Sequence, residues 1–216
     1  MTISNHTRDR VKGVFEPVAL ALGRLGLTPD ALTLIGFAIT VGGAALVALQ
    51  HWTLGGVVVL LGGVFDMFDG TLARATGRVS RWGAFMDSVF DRAGEAIVYM
   101  GIVVGAALAE HTRVPILATA AMGSAFMVSY VRARSEGLGF TAGKGMAGVG
   151  LMPREVRLVI LSVGLILADA PNIKALEATL AIIAIGATLT VIQRILHVRQ
   201  QASASATSPA TEQEHT

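Results

Sequence analysis

Six apolar stretches of roughly bilayer length constrain this chain more than any other feature of its sequence. A helix that crosses the hydrocarbon core needs about 20 predominantly apolar residues. Segments near that length fall at about 31–49, 54–75, 83–109, 115–135, 156–169 and 173–196, the fifth being the shortest. The expectation is an all-α, polytopic membrane protein with six transmembrane helices. Composition agrees, because only 15% of residues are charged and the mean hydropathy is +0.63, whereas soluble domains carry about a quarter charged residues. The chain has no Cys, which excludes disulfides, thiol catalysis and Cys-ligated metals. Ahead of the first stretch, Thr28-Pro29-Asp30 is a helix-start signature in which Thr28 or Asp30 can cap. No stretch has the form of a removable secretory signal, so the ends are read as native tails.

Orientation follows from Lys and Arg, which concentrate in short cytoplasmic loops. The N-terminal arm, the 74–81 turn, the 132–154 loop with Arg157, and the end marked by Arg194 and Arg199 share one side, while the opposite side holds only Arg113 and Lys174. Both termini are therefore expected in the cytoplasm, on a multi-pass protein of the cell membrane. The net charge is only +2, so the basic residues mark topology and imply no nucleic-acid partner. Residues 1–25 are read as a cytoplasmic arm with an amphipathic helix on the membrane surface, because Arg8, Val11, Lys12, Val14, Phe15, Val18 and Leu22 alternate at near-helical spacing. Residues 26–198 form the six-helix domain. Residues 199–216, rich in Ala, Ser, Thr, Glu and Gln, are expected to be a disordered tail.

Four carboxylates interrupt the apolar pattern: Asp66, Asp69, Asp87 and Asp91. An ionised acid in a membrane helix is costly unless paired or metal-bound, and marks a functional site by default. Asp66 and Asp69 are three apart, Asp87 and Asp91 four apart, so each pair occupies one helix face. The turn at 74–81 joins two antiparallel helices and can bring the pairs together at the cytoplasmic side. Such a concentration of negative charge requires a counter-charge. Hard oxygen ligands without His or Cys suit Mg²⁺, Mn²⁺ or Ca²⁺ rather than zinc, and two divalent ions would balance the four acids in the manner of phosphoryl-transfer sites. Gly70 and Ala73 follow on the face of Asp66 and leave a groove, and Arg74 can reach a phosphate in it. A proton relay in a transporter is the competing reading of the acids. Gly62, Gly63, Gly101 and Gly105 are read as helix-packing residues.

Together these residues spell Asp66-x2-Asp69-Gly70-x2-Ala73-Arg74-x8-Gly83-x3-Asp87-x3-Asp91. The pattern resembles the signature of the CDP-alcohol phosphotransferases at every fixed position, and the resemblance spans roughly residues 10 to 198. It implies transfer of a phosphatidyl group from a CDP-linked lipid such as CDP-diacylglycerol to an alcohol, with release of CMP. It further implies that Asp66, Asp69 and Asp87 hold metal, and that Asp91 is the general base and also contacts an ion. Gly70, Ala73 and Arg74 would line the diphosphate. Asp30, Ala31, Leu32, Thr33 and Ser80 match positions that contact the CDP group in similar enzymes, which are homodimers. The implied cofactor is Mg²⁺, as two ions, with Mn²⁺ as the substitute.

For the acceptor, Tyr130-Val-Arg132-Ala-Arg134-Ser-Glu136, Arg154-Glu-Val-Arg157 and Ile192-Gln193-Arg194 resemble the inositol-phosphate-binding positions of bacterial phosphatidylinositol phosphate synthases. Arg132 stands where those enzymes commonly have Lys, which keeps the charge and changes its geometry. Arg132, Arg154 and Arg194 are thus expected to hold the phosphate of a phosphorylated polyol. Glycerol 3-phosphate, the acceptor of a phosphatidylglycerophosphate synthase, is the alternative. The Gly-rich run from Gly137 to Gly150 lacks the spacing and the Ser/Thr after Lys144 that a P-loop needs, and is read as a flexible loop that closes over the acceptor. His51, His111 and His197 are isolated and receive no role.

Overall fold

The computed structural model describes residues 5–140, 146–168 and 173–207. The described residues form seven α-helices and one short 3₁₀ turn, and no strand: α1 (Asn5–Arg24), α2 (Pro29–Ala48), α3 (Trp52–Ala75), α4 (Arg81–Leu108), α5 (Arg113–Gly137), the turn Met146–Gly148, α6 (Arg154–Ile166) and α7 (Ile173–Thr207). Helices α2, α3, α5 and α7 are long and apolar enough to cross a membrane. Helix α4 has the length, at 28 residues, but charged side chains crowd its first half. Helix α6 has 13 residues, about 20 Å of helix, which is short of a hydrocarbon core.

Local sequence accounts for the helix ends near the site. Thr28 caps α2, accepting the Ala31 N–H at 3.2 Å, and Pro29 takes the first helical position. Gly77, at φ +66°, ends α3, and the Arg78 N–H returns to the Ala73 carbonyl at 2.9 Å, the left-handed glycine stop. Ser80 then caps α4 by accepting the Gly83 N–H at 2.9 Å. The link 76–80 is short, so the chain turns back at once from α3 into α4.

That return does not pack α3 against α4. Both helices pack on α2 instead, α3 also on α1 and α6, α4 also on α5. Small residues make the close approaches: a Cβ on Gly43 would stand 2.9 Å from the Val59 nitrogen, one on Gly101 would stand 2.5 Å from the Ala44 carbonyl oxygen, and one on Gly62 would run into Thr40. This is how helices associate in lipid, where apolar surface alone gives no driving force. The resulting core joins Val47, Val59, Val98, Ile102, Ala121, Leu165 and Leu180 among others. Outward, Leu61, Met100, Ile116 and Ile185 are all more than half exposed, as suits a lipid-facing perimeter.

One expectation changes here. Helix α7 continues through Thr207, so residues 199–207 are helical rather than a disordered tail, because Ala-rich sequence extends a helix already nucleated by a packed span; 208–216 lie outside the described residues. Helix α1 is present, interrupted by nothing despite Pro17, and it packs on protein: the Phe15 and Phe68 rings lie 5.4 Å apart and Ala19 is buried with Leu32 and Leu72.

Candidate active site

The space between α3 and α4, floored by α2, holds the acids. Asp66, Asp69 and Asp87 each offer an oxygen within 4.8 Å of the others. That separation suits ligands on opposite or adjacent corners of a divalent ion with oxygen ligands at about 2.1 Å, and the set lacks His and Cys, so the residues fit a hard divalent metal. The most buried member is Asp69, 6% exposed. Its Oδ2 accepts from Thr33 Oγ1 at 2.5 Å, and its Oδ1 accepts the Gly70 N–H. One lone-pair direction of each oxygen is thus used to aim the other inward.

Asp91 lies next to Asp66, beside the three acids whose oxygens converge. Its Oδ2 pairs with Arg92 Nη1 at 3.0 Å and its Oδ1 with Arg154 Nη1 at 2.7 Å. The same Arg154 nitrogen lies 3.0 Å from Asp66 Oδ2. A guanidinium from the start of α6 therefore ties the α3 and α4 acids together. Asp91 is thereby held beside Asp66 and lines two of the clefts that meet at the acids.

Three clefts meet at Asp87. One, of about 260 Å³, is lined by Asp30, Thr33, Asp69, Gly70, Ala73, Arg74, Arg78, Ser80 and Gly83. Gly70 leaves room for Arg74, whose Nη1 would stand 3.1 Å from a Cβ placed there. Of the positions expected around CDP, Ala31 and Leu32 do not line this cleft. Leu32 is fully buried against Ala19 and Leu72, because a helix presents only one face to a cleft. A second cleft, of about 570 Å³, runs past Asp66, Asp91 and Arg154 to Phe15 and Glu16 of α1.

The third and largest, about 720 Å³, brings Arg92, Arg132, Arg154, Arg157 and Arg194 around Asp87 and Asp91, with Ser129 and Tyr130. These arginines do not stand free. Arg132 pairs with Glu136 at 2.9 Å. Arg194, 3% exposed, donates to the Val149 carbonyl at 3.0 Å and the Val128 carbonyl at 2.6 Å. Arg157, 1% exposed, is gripped by both oxygens of Glu95 at 2.7 Å. Sequence reasoning missed Glu95, although the signal was present: Asp87, Asp91 and Glu95 continue one i, i+4 series along α4. Of the Gly137–Gly150 loop, residues 141–145 lie outside the described residues, while Val149 and the backbone after it are held in place.

The family model for CDP-alcohol phosphatidyltransferase matches residues 26–202. The chain is 34% identical over 194 residues, 90% of its length and 95% of the relative's, to the archaetidylinositol phosphate synthase of Pyrococcus horikoshii. It is 33% identical, over 97% of its length and 88% of the relative's, to the phosphatidylinositol phosphate synthase of Streptomyces avermitilis. Among solved structures it is similar to the phosphatidylinositol phosphate synthase of Mycobacterium tuberculosis. With CDP-DAG bound, that protein gives a TM-score of 0.76 at 29% identity, covering 94% of this chain and 98% of the other. In complex with manganese and citrate it gives 0.76 at 30%, covering 94% of each.

Proposed function

The chain belongs to the CDP-alcohol phosphatidyltransferase family, and from that premise we propose that it moves a phosphatidyl group from CDP-diacylglycerol to inositol phosphate, releasing CMP. Family membership sets the transporter reading aside. The observation that carries the acceptor is the arginine-lined cleft meeting the acid cluster at Asp87 and Asp91, since a neutral acceptor needs no such concentration of cations. The naming of its relatives as archaetidylinositol phosphate and phosphatidylinositol phosphate synthases supports the same choice.

In this reading Asp66, Asp69 and Asp87 hold divalent metal, as two Mg²⁺ ions, with Mn²⁺ as the substitute. Bound there, the metal neutralises the donor diphosphate and makes its phosphorus a better electrophile. The cleft of Asp30, Thr33, Gly70, Ala73, Arg74 and Ser80 takes the CDP moiety, Arg74 serving a phosphate oxygen. Arg132, Arg154 and Arg194 take the acceptor phosphate; Arg194 keeps donors for it because a guanidinium has five N–H groups. Arg154 touches Asp91, so a phosphate held by that arginine brings its polyol hydroxyl to the carboxylate. The Asp91 carboxylate receives the hydroxyl proton as the acceptor oxygen bonds to the phosphatidyl phosphorus, and the bond to CMP breaks with its electron pair leaving on CMP.

The surrounding architecture in this reading is six spans, α2 to α7. Asp87, Asp91 and Arg92, which interrupt the apolar run of α4, belong to the site, and the short α6 is flanked by α3 and α7. Helix α1 lies at the interface, both ends and the site face the cytoplasm, and the enzyme works as a homodimer. The test is CMP release by detergent-purified protein given CDP-diacylglycerol and Mg²⁺, with inositol 1-phosphate, glycerol 3-phosphate, inositol and serine offered separately. Turnover with inositol 1-phosphate is expected. Turnover with glycerol 3-phosphate alone keeps the reaction class and overturns the acceptor.

A further inference from the structure

The backbone just ahead of α6 is held by Thr190 of α7 and by Arg157 of α6 itself. Thr190, fully buried in α7, accepts the N–H groups of both Leu151 (3.1 Å) and Met152 (3.0 Å), while its own hydroxyl donates to the Gly186 carbonyl at 2.8 Å. Arg157 Nη1 donates to the Met152 carbonyl at 2.9 Å and is itself fixed by Glu95 of α4. Gly150, at φ +116°, passes so close over Thr190 that a Cβ would strike its methyl group. Every polar group of residues 151 and 152 named here is satisfied by a buried partner, and two residues later the chain reaches Arg154, whose guanidinium bridges Asp66 and Asp91.

We propose that Thr190 and the Glu95–Arg157 pair are positioning residues for Arg154: they fix the turn into α6 so that its guanidinium faces both the acid cluster and the acceptor cleft. Resting on the acceptor reading above, this also gives Arg157 a role different from the phosphate ligand that its neighbours in sequence suggest. Arg157 has Nε and Nη2 committed to Glu95 and Nη1 to the Met152 carbonyl, which leaves it holding the protein rather than a substrate. Valine in place of Thr190 keeps the side-chain volume and removes the acceptor for two amides, freeing the turn without touching any cleft-lining group.

The experiment compares wild type, T190V, T190S and E95Q in detergent, measuring KM and kcat for inositol 1-phosphate and glycerol 3-phosphate, KM for CDP-diacylglycerol, and the melting temperature. T190V is expected to raise the KM for the phosphorylated acceptor about tenfold, the scale of one misaligned charge-assisted bond, with the KM for CDP-diacylglycerol unchanged. T190S, which keeps the hydroxyl, restores the acceptor KM, and E95Q shifts it in the same direction as T190V. A lowered melting temperature with an unmoved acceptor KM in T190V and E95Q overturns the positioning role and leaves a structural one. An equal rise in both KM values overturns it as well. Wild-type turnover with neither phosphorylated acceptor overturns the acceptor reading itself, and with it the role assigned to Arg154.

Discussion

Asp91 and Asp69 are both acids largely shielded from solvent on successive helices, yet their partners give them different work. Asp91 meets two guanidinium groups, and Asp69 meets a hydroxyl and an amide that aim it at the other acids. D91N keeps the shape and loses the proton acceptor. Turnover should fall by about 10²–10⁴-fold, the usual contribution of a general base, while binding of CDP-diacylglycerol persists; CMP release and a lipid-binding titration check the two halves. T33V removes the hydroxyl that orients Asp69. Loss of such a supporting bond typically weakens metal affinity about 10- to 100-fold, to be read from Mn²⁺ binding by electron paramagnetic resonance with CDP-lipid absent. At this scale much was legible beforehand, because acids at i, i+3 and i, i+4 spacing in an apolar run share a face whatever the fold. Leu32 was not: residues 30–33 lie within one helical turn, and only packing against Ala19 and Leu72 decides which of them meets the cleft.

Helix α2 acts as the wedge that keeps α3 and α4 apart, and glycines on α2 and on its neighbours allow the close approach. Gly101→Ala places a methyl 2.5 Å from the Ala44 carbonyl oxygen, so α4 must move off α2. A destabilisation of about 1–3 kcal/mol is expected, the range for overpacking, seen as a lowered melting temperature in detergent. Gly42→Ala, on α2 with nothing within 4 Å of the added carbon, should leave that temperature unchanged or raise it, since alanine restricts the unfolded chain. The periodicity of the apolar runs announced the helices and their approximate ends. It did not announce that adjacent helices α3 and α4 would both lean on α2, and that separation is what opens the clefts. Nor did the polar tail sequence reveal that α7 runs through Thr207, since a long packed span can carry a weakly apolar extension.

For the whole molecule, the absence of Cys makes topology directly testable. In the proposed orientation E110C is labelled by an impermeant thiol reagent on intact cells, and Q200C only after permeabilisation; the reverse result inverts the site to the outer face. Chelation should abolish CMP release and Mg²⁺ or Mn²⁺ should restore it, because the converging carboxylates of Asp66, Asp69 and Asp87 repel one another without a counter-charge. Sequence alone determined the helical class, the membrane setting, the acid motif and the family it resembles, because each depends on composition or on spacing within a turn or two of helix. Tertiary structure alone decided that Glu95 grips Arg157 and that Thr190 holds the turn into α6, pairs 62 and 38 or 39 residues apart. It also decided that Arg154 of α6 reaches Asp66, 88 residues away. Contacts at such separations leave no local periodicity to read; they exist only once the helices have packed and the burial of each charge has made a partner obligatory.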